Sequence, residues 1–235
     1  DSALYEHHTT SLVFNDAPYH TRVRSLLAPA FTPRALEELR PRVEAFIDTR
    51  LDQMADQGRF DLIADFASPL PVQLIGDMLG VPESERGPLR GWSLAILGAL
   101  EPKLSPEVFD AGCRAVEDFK TFLGDLIAHR RTHAAPQGQG EILSKLIDAE
   151  WDGERLSENE LFHNCIFLLN AGHETTTNLI GNGVEALFRF PDQQARLAAE
   201  PGLIKPAVEE MLRYESSNQL GNRRAVADVE IGDVK

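Results

Sequence analysis

The sequence predicts a mainly α-helical fold with a short β segment near its C-terminus. Apolar residues recur at helical spacing through most of the 235 residues. Prolines, glycines and capping residues fall where helices would begin and end. Strand-like alternation occurs only from Arg224 to Val234.

The longest helical run is Leu161 to Phe190, with apolar side chains on nearly every side, as in a helix through the middle of a domain. Ser157 and Glu160 form a capping box that can start it, and Pro191 marks its end. Its centre, Ala171-Gly172-His173-Glu174-Thr175-Thr176-Thr177, breaks helical preference. A mid-helix glycine costs about 1 kcal/mol relative to alanine, and threonine is a mediocre helix former. Such breaks in a consistent element mark functional sites. Gly172 lets a flat ligand approach the backbone, and Thr175 can turn its hydroxyl back to the carbonyl of Ala171. Glu174 sets an acid beside that alcohol, as a short proton relay would need. The structural alternative is a small-residue contact where another helix crosses. A zinc-protease reading of His173-Glu174 requires a second histidine four residues after the first, and that position is Thr177.

Composition narrows the classes. A formal net charge of −14 argues against a nucleic-acid partner. No apolar run approaches the roughly 18 residues of a membrane span. With no signal peptide in view, a cytoplasmic location is expected, although the sequence starts at Asp1 without an initiator methionine. Cys113 and Cys165 are too few for a disulfide scaffold and sit in helical patterns, so both are expected to be apolar packing.

Along the chain, Asp16 is expected to cap a helix on which His20 and Arg24, four residues apart, share a face suited to an anion. Thr32-Pro33 starts a helix expected to run to about Met54. Arg22, Arg24, Arg34, Arg40 and Arg42 outnumber Glu37 and Glu38 there, forming either a docking face for an acidic partner or a solvated basic face. Phe60 to Val81 is helical, and Glu83 to Pro106 is a looser helix carrying Trp92 and Ile96. Val108 to Arg131 has an apolar stripe of Val116, Phe119, Phe122, Leu123 and Ile127 and reads as a surface helix. Residues 134–140 form a flexible linker by composition, Ile142 to Ala149 a short helix, and Trp151-Asp152-Gly153 a turn. Beyond Pro191, one short helix and then another carrying Glu210 and Arg213 follow, this pair being able to bond at i, i+3.

Four strings, in order, resemble the cytochrome P-450 superfamily of heme-thiolate monooxygenases. Ala171 to Thr176 resembles that family's A-G-x-[D/E]-T-T. Asp16 to Arg24 looks like its D-P-P-x-H-x-x-x-R, with Ala17 at a proline position. Ala207, Glu210, Leu212, Arg213 and Tyr214 fit A-x-x-E-x-L-R-Y, and Asn222 to Gly232 resembles a later strand.

The resemblance implies the central portion of a cytochrome P-450-like helical domain, one incomplete domain over residues 1–235 without the family's N-terminal elements. It gives Glu174 and Thr175 proton handling at bound dioxygen, with Ala171 and Gly172 flanking the oxygen pocket. His20, Arg24 and Arg223, with Arg224 as the alternative to Arg223, would hold heme propionates, and Glu210–Arg213 would brace the core as a buried pair. Trp92, Ile96, Leu168, Asn218 and Leu220 would line the pocket of a small hydrophobic substrate. Electrons from NAD(P)H would arrive through a ferredoxin or flavin-type donor. The family's cysteine ligand lies in an F-x-x-G-x-x-x-C-x-G loop that these residues do not contain, and neither Cys113 nor Cys165 fits that motif. The piece alone is therefore expected to be inactive. A non-catalytic helical binding or regulatory module derived from the same fold is the alternative. A magnesium-dependent isoprenoid enzyme is disfavoured because the sequence contains no Asp-Asp pair.

Overall fold

The computed structural model describes residues 2–101, 103–133, 141–221 and 225–232. They form two compact units, residues 1–181 and 182–235. Eight helices precede a two-stranded hairpin in the first unit: α1 (Ala3–Thr10), α2 (Tyr19–Leu27), α3 (Pro33–Glu37), α4 (Arg40–Gln57), α5 (Pro69–Leu79), α6 (Gly87–Gly98), α7 (Pro106–Thr132) and α8 (Glu141–Asp148). The strands β1 (Glu150–Trp151) and β2 (Glu154–Arg155) pair antiparallel, and α9 (Glu158–Arg189) follows.

The first unit is built on the apolar stripe of α7. Val116, Phe119, Leu123 and Ile127 are all but inaccessible, so this helix lines the core rather than riding on the surface. Trp92 of α6 stacks on Phe119 with ring centroids 5.1 Å apart. Gly112 lets α7 pass close to its neighbours, since a Cβ there would lie 2.8 Å from Ala99 Cβ and 3.0 Å from Leu4 Cδ1. Ile142, Leu143 and Leu146 of α8 and Leu161, Cys165, Ile166 and Leu169 of α9 complete the core.

Local chemistry sets the boundaries. Thr32 Oγ1 accepts from Ala35 N at 3.2 Å, as its place before Pro33 predicts. The helix expected to reach Met54 instead breaks at Glu38-Leu39. Pro41 cannot donate to the carbonyl of Glu37 and its ring would collide with it, so α4 starts afresh with Pro41 in its first turn. The run from Phe60 likewise divides into a π-helical turn, Leu62–Ala67, and α5. Asp61 caps the turn by accepting from Ile63 N and Ala64 N, both at 2.9 Å, and Pro69 opens α5. Asp16 does not cap α2 with its side chain; its backbone carbonyl accepts from His20 N at 3.0 Å. The Glu83 to Pro106 stretch resolves into a regular α6 after a 3₁₀ turn.

Leu62–Leu79 is long and apolar enough on composition to cross a membrane, which the sequence reading did not anticipate. It is a π turn and a helix joined at Ser68, with 44% of the stretch buried inside the protein. Residues 152–153 form the two-residue hairpin turn, with φ of 53° at Asp152 and 77° at Gly153, matching strand twist. The β structure expected over 224–234 reduces among the described residues to a bridge at Ile231. The linker at 134–140 lies outside the described residues.

The Arg86 guanidinium staples the end of α5. It donates to Val81 O at 2.9 and 2.7 Å, to Gln73 O at 3.2 Å and to Asp77 Oδ1 at 2.8 Å, with both charged side chains 7% exposed. Gly76 makes room for it, since a Cβ there would meet Arg86 Nε at 2.6 Å.

In the second unit the end of α9 is followed by α10 (Pro191–Ala199) and α11 (Ile204–Tyr214). Phe190 meets Tyr214 edge-on at 5.7 Å. An apolar groove of about 440 Å³ lies among Gly183, Leu187, Phe190, Leu197, Ala207 and Met211.

One buried cluster ties α1 to α9. His7 Nδ1 lies 3.3 Å from His163 Nδ1 and 3.0 Å from Ser11 Oγ, and His163 Nε2 lies 3.4 Å from Glu6. Burial lowers His7 to about 3 and His163 to about 4, helped by each other's proximity at His7 and by Lys120 at His163; Glu6 opposes the shift at His163. Both rings are therefore neutral when folded and take up protons below about pH 6.5 only on unfolding. The unfolded chain then binds more protons, so stability is complete above about pH 6.5 and falls as pH drops toward 4. With both imidazoles contributing, we expect a loss of about 2 kcal/mol between pH 6 and 5, read by urea unfolding. His163→Asn flattens that slope.

Candidate functional site

The candidate site is built on α9. Its capping box forms as read: Ser157 N donates to Glu160 Oε2 at 2.8 Å and Glu160 N to Ser157 Oγ at 3.2 Å. The same Glu160 receives Arg22 of α2, which also pairs with Glu154 at 3.3 Å. Tyr19, whose hydroxyl donates to Thr10 O at 2.7 Å, is raised to about 12 by burial and then by the charge of Glu160. These contacts fasten the start of α2 to the start of α9.

On α2, Arg22 points roughly opposite to His20 and Arg24, since positions two apart are about 200° apart on a helix. His20 is half-buried and Arg24 exposed, and neither has an ion-pair partner among the described residues. The neighbouring arginines are not a free basic face. Besides Arg22, Arg42 meets buried Asp77 at 3.3 Å, Arg40 pairs with Glu37 at 2.6 Å and Arg34 with Glu38 at 3.4 Å. Local acids consume most of the charge excess that the residue count suggested.

At the centre of α9, Thr175 Oγ1 donates to Ala171 O at 2.8 Å. Ala171 is exposed, while Glu174 and Thr175 are part-exposed; Glu174 has no hydrogen bond or ion pair among the described residues. Gly172 takes the structural alternative instead. A Cβ there would lie 2.7 Å from Ile75 Cδ1, so its missing side chain is filled by α5 and not left for a flat ligand. His173, 2% exposed, sits between Ser93 Oγ at 3.2 Å from Nδ1 and Ser68 Oγ at 3.3 Å from Nε2. Burial, then the charge of Arg90, lowers it, so its ring is neutral. Thr177 donates to His173 O at 2.9 Å and to Ala67 O at 3.3 Å. Ser68 and Ser93 carry no signal in the sequence, because lone serines have no pattern until their partner is known, and Thr177 entered there only as the position that lacks a second histidine.

Two of the expected substrate-pocket residues are core residues. Ile96 is 1% exposed within the main cluster and Trp92 stacks on α7, because both lie on the face of α6 that packs there. Leu168 is part-buried against the same core. Asn218 and Leu220 are exposed in the irregular tail of the second unit. Arg223 and Arg224 lie outside the described residues. Glu210 and Arg213 do pair, at 2.7 and 2.6 Å, and Arg213 holds Glu210 below the usual carboxylate range. The pair is exposed rather than buried, with Glu210 at the edge of the groove that Ala207 and Met211 also line. Cys165 is inaccessible and pushed by burial to about 12, which leaves it an inert thiol; Cys113 is part-buried against the core.

The family model for cytochrome P450 matches residues 100–235, more than half of the chain. The chain belongs to the cytochrome P450 family. Cytochrome P450 107B1 of Saccharopolyspora erythraea is 43% identical over 220 residues, spanning 93% of this chain and 52% of that protein. The 6-deoxyerythronolide B hydroxylase of the same organism is 38% identical over 226 residues, 96% of this chain and 54% of the relative. The crystal structure of P450BioI in complex with acyl carrier protein ligated to hexadec-9Z-enoic acid has a TM-score of 0.92 at 34% identity, covering 99% of this chain and 58% of that one. The chain thus spans about half the length of the P450 relatives it matches.

The packing of Gly172 on Ile75 sets a test of the helix crossing. Gly172→Val is expected to cost about 1–3 kcal/mol through overpacking. In a double-mutant cycle measured by urea unfolding, Ile75→Ala recovers part of that loss if the two sites touch as described.

Proposed function

We propose that the full-length protein is a heme-thiolate monooxygenase that inserts one atom of dioxygen into a small hydrophobic substrate. The observation that carries this reading is the part-open stretch of α9 on which Thr175 is back-bonded to Ala171 beside Glu174, which has no hydrogen bond or ion pair among the described residues. The residues fit a heme. His20 and Arg24, one turn apart and without ion-pair partners among the described residues, offer cationic or neutral donors to a propionate, and exposed Ala171 leaves room beside Thr175. Arg223 is proposed for the other propionate. When bound, a thiolate-ligated heme supplies dioxygen activation and O–O cleavage.

The chain's own part is proton management. The Thr175 proton is held by the Ala171 carbonyl, so the lone pairs of Oγ1 can accept from a donor on the open side. Passing that proton on requires leaving the carbonyl, and Glu174 is the adjacent acid that restores it through water. We assign the thiolate to the part of the relatives' length outside these 235 residues, because neither cysteine here is placed to ligate. On this reading the 235 residues alone are inactive. Glu210–Arg213 becomes a bracing pair in the full-length protein, and both compact units belong to one domain. Asn218, Leu220 and Leu168 remain proposed substrate contacts, joined by exposed Leu94 on α6. NAD(P)H-derived electrons through a ferredoxin or flavin-type donor, and a cytoplasmic setting, complete the proposal.

The full-length protein, reduced under carbon monoxide, is expected to show the strongly red-shifted Soret band of a thiolate-ligated heme. Thr175→Val and Glu174→Gln are expected to keep that band while lowering product formation by about 10²-fold or more. No heme absorbance after adding hemin to the full-length protein would overturn the reading.

A further inference from the structure

A neutral imidazole has one donor and one acceptor nitrogen, and both of those on His173 meet a serine hydroxyl that is itself buried. The two hydroxyls belong to different elements. Ser68 stands at the N-terminus of α5, and Ser93 lies in the middle of α6. One turn further along α9, Thr177 repeats the fastening on the Ala67 carbonyl. Just before His173 the backbone at Gly172 rests on Ile75. This side of α9 is therefore gripped at successive turns, with His173 as the grip that reaches α6.

We propose that His173 is a positioning residue that fixes the roll of α9 about its own axis, and so the aim of Glu174 and Thr175. We further propose that its bond to Ser93 makes that roll depend on where α6 lies. The inference rests on the monooxygenase reading above. Thr175 lies about 200° around the helix from His173, so a turn of the helix that slackens one side swings the other. With side chains the helix is roughly 10–12 Å across, so about 10° of roll moves a side-chain tip by about 1 Å. A displacement of that size at a reacting group can cost about 10²-fold. Loss of the imidazole also leaves two buried hydroxyls short of a partner, and the helix would turn to relieve them.

The test uses the full-length, heme-loaded protein and counts product and hydrogen peroxide per NAD(P)H consumed. Two electrons and two protons given to dioxygen without insertion appear as peroxide, so misaimed relay groups divert electrons from product to peroxide. His173→Phe keeps the ring volume without its nitrogens, and Ser93→Ala removes the link to α6 alone. Both are expected to lower product per NAD(P)H on the order of tenfold. Heme content and the carbon monoxide band should stay at wild-type values. His173→Asn, whose amide reaches the Nδ1 position, should restore most of the coupling. Hydrogen exchange at residues 171–177 should rise in His173→Phe and Ser93→Ala and return to normal in His173→Asn. If the wild type shows the thiolate band but both variants remain fully coupled, the positioning role is wrong while the monooxygenase reading stands. A loss of coupling that only follows a fall in heme content overturns it equally. Absence of the band in the wild type overturns the reading beneath it.

Discussion

The first unit depends on satisfying the polar groups that α9 carries into the core. His163, Asn164, His173 and Thr177 are all buried, and leaving any one without partners would cost about 1–3 kcal/mol. Each is answered by a different part of the chain. His163 meets His7 of α1, Asn164 accepts from Leu12 N at 3.1 Å, His173 joins Ser68 to Ser93, and Thr177 donates to Ala67 O. Apolar contacts bring these segments together without direction; the polar ones fix how α9 is rotated among them. That rotation decides which of its residues are left open.

The same economy of charge shapes α2. Arg22 is drawn toward Glu154 and Glu160 at the start of α9, and that leaves His20 and Arg24 on another side of the helix. Arg42 and Arg86 converge on the single carboxylate of Asp77, fastening α4 and the turn after α5 to one buried point. A count of arginines left a docking face and a solvated face both open; Arg34 and Arg40 pair with acids three or four residues away, whereas the acids that meet Arg22 and Arg42 are distant in sequence. Glu154 and Glu160 stand more than a hundred residues from Arg22.

Much of the fold was legible because it is written locally. The Ser157–Glu160 box, the Thr32-Pro33 start and the apolar stripe of α7 act within one or two turns, and the structure forms all three. The misjudged boundaries also have local causes that were underweighted. Pro41 breaks one helix, and Asp61 with Pro69 divides another. The site was legible in part. The back-bond from Thr175 to Ala171 follows from helix geometry alone. The filling of Gly172 by Ile75, the burial of Ile96 and the stacking of Trp92 do not, because each depends on which helix lies alongside.

By itself the sequence determined the helical class, the order of the elements, the central acid–alcohol pair and the family to which the chain belongs. These rest on period, caps and contiguous motifs, which are short-range properties of the chain. Tertiary structure alone decided that Gly172 serves a helix crossing, that His173 is held between two serines 25 residues apart in sequence, and that Arg22 braces α9. Such pairings join residues with no fixed spacing, so only the packed chain brings donor and acceptor within reach.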